Sequence, residues 1–324
     1  MKSHQTEFSR HELLAVVALP VVIAATIAGM MHAAAFVGAL PPPRPALDAD
    51  RTILLHQVDA ARTQSPAVVL IGDSSCLMDV SARQLSDRLQ ASVLNLGTLS
   101  YLDLDAYAVL LREHKKHHEP KVVVLLMHPE ALRRVGSEPH QLAILNHYIA
   151  GRDHSSTVTA ASAVSAWAGA DIFSGRLLAR WIPAPLRGDY GAYYGFTHDL
   201  DRFMTRNLGS AIDPGQEDFK GSSEYRLSPT LEKSSRAFRS VLSPRTRLIV
   251  GITPVPIRFA RAGFAQERNR LLGQWTEWLG TTNAMYDLPA TLPDDQFARV
   301  THLKPKAITG YTASLGEALG KHLP

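Results

Sequence analysis

Apolar positions along the chain follow two alternating patterns. Short unbroken runs bounded by turn formers predict strands buried on both faces, and stretches with apolar residues three and four apart predict helices. Ala67-Val68-Val69-Leu70-Ile71, between Gln64-Ser65-Pro66 and Gly72-Asp73-Ser74-Ser75, is the first such strand. Ala91 to Leu96, Val122 to Leu126 and Arg247 to Pro254 follow, with Ala284 to Leu288 as a short last one. Helical stretches lie at 47–61, 81–89, 103–118, 229–241, 258–279 and beyond Pro305 as far as Leu319. Ser81-Ala82-Arg83-Gln84 supplies a capping box for the second of these, and Leu104, Tyr107, Leu110 and Leu111 share one face of the third. Strands alternating with helices in this way predict an α/β domain with a doubly wound, mostly parallel sheet.

The rhythm changes between about 137 and 240. Gln141 to Ala150 and Thr157 to Trp181 have helical spacing, whereas Gly188 to Gly221 is irregular and aromatic, with Tyr190, Tyr193, Tyr194, Phe196 and Phe203. We take the region as an insertion or lid over the functional edge of the sheet. Its aromatics suit sugar stacking or a membrane surface, although plain packing is the commoner role. At the other end, Leu13 to Leu40 contains no Asp, Glu, Lys or Arg. A helix of that length rises roughly 40 Å, and Pro41-Pro42-Pro43 closes it. The expected organisation is a tail at 1–12, a transmembrane signal anchor at 13–40, a linker with a short helix at 41–65, and an α/β domain at 66–324. The anchor implies a single-pass protein of the inner (cytoplasmic) membrane, its soluble domain facing the periplasm or outside.

Composition narrows the chemistry. Of 324 residues, 45% are hydrophobic and 20% charged, an ordinary globular balance. Net charge is +4 with Lys and Arg scattered rather than striped, so no nucleic-acid partner is expected. Cys76 is the only cysteine, which excludes an intrachain disulfide and a thiolate zinc cluster. Two residues past Ser74, it is either a rival thiol nucleophile or a small buried filler. His114-Lys115-Lys116-His117-His118 resembles a metal-binding cluster, but basic side chains in a last helical turn already suit the unpaired carbonyls there. No metal and no cofactor are expected. Gly72-Asp73-Ser74 lacks the spaced glycines a dinucleotide's pyrophosphate needs.

Parallel sheets gather their chemistry beyond the carboxyl ends of the strands, and Ser74 stands directly after the first one. A serine there is held rigidly beside backbone N–H groups, the setting a nucleophile needs. Gly-Asp-Ser also serves as a plain turn and helix cap. A serine requires a base, and His302, after the last strand and before the final helix, is the candidate; His128, ending the third strand, is the competitor.

Taken together, Gly72-Asp73-Ser74 behind a strand, Gly97 closing the next strand and His302-Leu303-Lys304-Pro305 near the end resemble the SGNH/GDSL hydrolases. The order resembles most the membrane-anchored members that act beside membrane-bound O-acyltransferases on cell-surface polysaccharides. The likeness covers about Ala67 to Leu126 and Arg247 to Leu319. It implies a three-layer, flavodoxin-like sheet and acyl transfer from an acyl ester or acylated polysaccharide through an acyl-serine. Ser74 would be the nucleophile, His302 the base, and the N–H groups of Ser74 and Gly97 the oxyanion hole; apart from the resemblance, His128 at the end of the third strand is expected to bind substrate. The chain departs from the family twice. Arg299 stands where an aspartate usually precedes the histidine, so Asp295 or Asp294 is expected to orient His302 instead, unless a Ser-His dyad suffices. Leu126-Met127-His128-Pro129 replaces the family's third-strand Asn motif. The alternative is a catalytically degenerate, tethered scaffold that binds glycan or docks a transferase.

Overall fold

Val68–Gly72 (β1) is buried at every position. It pairs with Val93–Asn95 (β2) on one side and Val122–Met127 (β3) on the other, and β3 pairs with Arg247–Ile252 (β4). The order is β2-β1-β3-β4 and every pairing is parallel. A parallel bridge from Val250 to Ala284 continues the sheet beyond β4, and the strand expected over 284–288 is reduced to that contact. Short strands follow at Val255–Pro256 (β5), Thr291–Leu292 (β6), Phe297–Arg299 (β7) and His302–Leu303 (β8). The helices are Ala49–Thr63 (α1), Ser74–Asp79 (α2), Ala82–Leu89 (α3), Leu104–Lys115 (α4), Pro139–Ile149 (α5), Thr197–Arg206 (α6), Leu231–Val241 (α7), Phe264–Trp278 (α8) and Pro305–Gly320 (α9).

This computed structural model describes residues 49–150, 197–213, 221 and 223–323, with Ser9 and the helical residues 16–23, 25–26 and 29–30. Its backbone forms two compact units, one of Met1–Ala46 with Val158–Gly188 and one of Leu47–Thr157 with Asp189–Pro324. The second is the α/β body, and its layers follow from the two-residue period of a strand. Val69, Ile71, Val123, Leu125, Val250 and Ile252 pack with α1, α4, α7 and α8. Val68, Leu70, Val122, Val124 and Ile249 pack with α3 and α9. Unbroken apolar runs are what burial on both faces demands.

Ser81 caps α3 by accepting the Gln84 N–H, while the Gln84 side chain turns away to Thr309. The chain after Gly188 is not wholly irregular as expected, because α6 occupies 197–206. The helix expected over 157–181 and the aromatics Tyr190 to Phe196 lie outside the described residues. The membrane-spanning helix expected over 13–40 is corrected. Among the described residues no helix is long and apolar enough to cross a membrane. The described helical residues there are 16–23, 25–26 and 29–30. Pro20, within the first piece, also removes a backbone donor there. The rest of 13–40 lies outside the described residues.

Candidate active site

β1 ends at Gly72, Asp73 caps the next helix, and Ser74 opens α2. The Asp73 carboxylate accepts the Ser75 N–H at 3.0 Å and the Ser75 hydroxyl at 2.6 Å through Oδ1. Its Oδ2 accepts the His128 N–H at 2.9 Å, tying this turn to the end of β3. Ser74 is thus fixed by a buried acid that bonds its own turn and the end of β3. As the first residue of α2, it has an N–H with no carbonyl one turn back to receive it, so the donor remains for a ligand.

The far end of the same six-residue helix holds the histidine. Asp79 accepts the Leu303 N–H at 2.8 Å, anchoring β8, in which His302 is the first residue. Burial pushes the Asp79 carboxyl well above the usual carboxylate range, and the nearby Asp73 and Asp213 add to the shift. His302 Nε2 lies 2.8 Å from Ser74 Oγ. Its Nδ1 lies 2.5 Å from Asp213 Oδ2. A carboxylate can only accept, so Nδ1 carries the proton and Nε2 accepts from the serine hydroxyl. Ser74, His302 and Asp213 therefore form one continuous hydrogen-bonded chain, with Ser74 2% and Asp213 1% exposed. Arg299, paired with His302 in the β7–β8 hairpin, sits with Nε 3.0 Å from the same Asp213 oxygen. The guanidinium that occupies the family's acid position instead faces the acid.

Asp213 comes from the middle of the chain, where no acid was expected. The segment after α6 runs along the outer edge of β2: Leu208 C=O accepts the Asn95 N–H at 2.8 Å, and the Ala211 N–H donates to Leu77 C=O at 3.0 Å. Ser210 Oγ accepts from the Ala82 N–H at 3.0 Å and the Asn95 amide at 3.1 Å. Gly209, at φ +87°, makes the turn that starts this run, where an added Cβ would lie 2.0 Å from the Asn95 carbonyl oxygen. A glycine after a helical stretch was the only local sign of that turn, and nothing nearby marked the aspartate beyond it.

The other expected site residues fall elsewhere. Asp295 is exposed, and Asp294 is taken by Arg258, whose Nε lies 2.8 Å away. Both sit on the turn before β7. The Gly97 N–H donates to Asn95 Oδ1 at 2.8 Å, so it is committed within the fold. Gly97 is small for packing: a Cβ there would lie 2.6 Å from Leu77 N. His128 is 1% exposed, and its backbone N–H is held by the Asp73 carboxylate. Burial, with the charge of nearby His302, depresses its imidazole to about 3, so the ring is neutral. Cys76 is fully buried, and burial pushes its thiol up, the state of an inert filler rather than a nucleophile. His114 is buried too, with Nδ1 2.8 Å from Ala61 C=O, and among the described residues no cluster could hold a metal ion. A groove of about 490 Å³ lined by Glu232, Arg236, Arg239 and Trp278 lies on α7 and α8, away from Ser74.

Comparison with known proteins adds little to this geometry. No protein-family model matches the chain, and no curated protein matches it in sequence. A solved structure from Streptococcus pneumonia, provisionally assigned as a platelet activating factor, is similar at 13% identity and a TM-score of 0.38. That similarity covers 85% of this chain and 93% of the other.

Proposed function

We propose that the chain is a serine-dependent esterase or acyltransferase of the SGNH type. The observation that carries this is the unbroken contact from Ser74 Oγ through His302 to Asp213. In the first half-reaction Ser74 Oγ bonds to the carbonyl carbon of an acyl ester while its proton passes to His302 Nε2. The carbonyl electron pair moves onto oxygen, and the Ser74 N–H receives that oxyanion. Asp213 holds the imidazolium that has formed, keeping the tautomer correct. The C–O bond to the leaving alcohol then breaks, and His302 returns the proton to it. The acyl group now rests on Ser74. A second hydroxyl, deprotonated by His302, attacks the acyl-serine and restores the serine. Water as that hydroxyl gives an esterase; a sugar hydroxyl gives a transferase. An acylated polysaccharide is the substrate class we favour, from the resemblance of the sequence motifs. A membrane-bound O-acyltransferase partner belongs to the same proposal.

The degenerate-scaffold reading has two observations on its side: the Gly97 N–H is spent on Asn95, and no Asn follows β3. Both readings are separated by assaying the full chain with p-nitrophenyl acetate and labelling it with a fluorophosphonate. The esterase reading expects Ser74 to carry the label and Ser74→Ala to lose roughly 10⁴-fold or more in kcat. Equal rates for wild type and Ser74→Ala, with no labelled serine, leave the scaffold.

A further inference from the structure

The oxyanion hole is short of donors, and one side chain beside the nucleophile has no other assigned purpose. Ser100 Oγ is hydrogen-bonded to Ser74 Oγ. Its turn is pinned from both sides: the Thr98 N–H donates to the Gly72 carbonyl at 2.9 Å, and Asp103 caps α4 just after it. We propose that the Ser100 hydroxyl is a catalytic oxyanion donor, replacing the side-chain amide that the end of β3 does not provide.

Proton bookkeeping fixes the direction of the bond. Ser74 has one hydroxyl hydrogen, and it goes to His302 Nε2, the acceptor that Asp213 creates on the opposite edge of the ring. Ser74 Oγ can then only accept from Ser100, so the Ser100 O–H points at the atom that attacks. When Ser74 Oγ bonds to the carbonyl carbon, it loses its proton to His302 and becomes an ester oxygen, a poorer acceptor. The carbonyl oxygen, attached to the same carbon, gains the negative charge. A rotation of the Ser100 hydroxyl then transfers its hydrogen bond from Oγ to the oxyanion, with no bond made or broken at Ser100. The donor is stronger for the transition state than for the ground state, which is the condition for raising kcat rather than merely tightening binding. The Gly97 N–H cannot do this, since Asn95 Oδ1 holds it.

This inference rests on the serine-hydrolase reading above, and its test separates the two. Ser100→Ala and Ser100→Thr are made in the full chain and compared with wild type and Ser74→Ala on p-nitrophenyl acetate. Inhibition by phenylboronic acid, which forms a tetrahedral adduct on an activated serine, is measured alongside. The expected result is a fall in kcat of roughly 10²-fold for Ser100→Ala with KM within about threefold, and a boronate affinity weakened by a similar factor. Ser100→Thr keeps the hydroxyl and recovers most of the rate. Turnover that depends on Ser74 but is indifferent to Ser100→Ala overturns the proposal and leaves the enzyme reading standing. So does a Ser100→Thr variant as slow as Ser100→Ala, or a loss confined to melting temperature, since either marks a packing role. Absence of any Ser74-dependent turnover in wild type overturns both.

Discussion

The turn that carries Ser74 is recognisable from its own residues, whereas the stretch that carries Asp213 is placed by contacts with residues distant in sequence. Asp73 caps α2 and binds Ser75, and the strand before it is an apolar run that needs no partner to be recognised. Asp213 reaches His302 because Leu208, Ser210 and Ala211 are stitched to β2 and to the helices behind it. Those contacts link residues more than a hundred positions apart along the chain. Two halves of one constellation are thus specified at different levels. A nucleophile on a strand–turn–helix is a local motif; an acid delivered along a sheet edge is a tertiary product.

The largest expected effect tests that division directly. Asp213→Asn should lower kcat by roughly 10³–10⁴-fold, because the amide stabilises the wrong histidine tautomer, while Asp295→Asn stays within about twofold. Both are read by kcat on the same ester. If Asp295→Asn is the damaging change, the acid belongs to the local turn after all and the comparison collapses.

A smaller effect falls on stability. In Gly97→Ala the new Cβ meets Leu77 N at 2.6 Å and Asn95 Oδ1 at 2.9 Å, atoms of a backbone and a buried amide that have little room to move. A loss of about 1–3 kcal/mol is expected, measured as a shift in the urea midpoint. A neutral result would show that the β2 turn is looser than the Ser74 turn it supports.

The smallest effect at neutral pH concerns His128, whose backbone N–H ties β3 to Asp73. Its folded value is depressed to about 3, from an ordinary value of 6.5. Between those limits the unfolded chain binds more protons than the native one, so stability rises with pH and is lost as pH falls below about 6.5. At its steepest this single group contributes about 1.4 kcal/mol per pH unit. Urea midpoints at pH 7 and pH 4.5 should therefore draw closer together in His128→Asn than in wild type. An unchanged acid slope would mean that groups other than His128 govern acid unfolding.

Much of the fold could be seen in the residue pattern. The runs at 68–72, 122–127 and 247–252 became adjacent parallel strands, and the capping serine at 81 starts a helix. Ser74 and His302 were identified from position relative to those elements, and they lie 2.8 Å apart. The third member was not visible. Asp294 and Asp295 were attractive because they are close to His302 in sequence, but their turn points one of them at Arg258 and the other at solvent. Gly97 misled for a related reason: a glycine closing a strand signals close backbone approach, and sequence cannot say whether an anion or a helix makes it. Here Leu77 does. An uncharged stretch at 13–40 likewise suggested a membrane span, and among the described residues no helix is long and apolar enough to be one.

What the sequence determined by itself was whatever depends on contacts a few residues long: strand identity from apolar runs, caps from Ser and Asp, and a nucleophile candidate at a strand end. Tertiary structure alone decided which aspartate meets the histidine and which N–H groups stay free. The physical reason is that a hydrogen bond is directional and short, so its partner is chosen by where folded segments come to rest. Burial of apolar side chains, which is non-directional, leaves its trace in the order of residues; the pairing of one carboxylate with one imidazole does not.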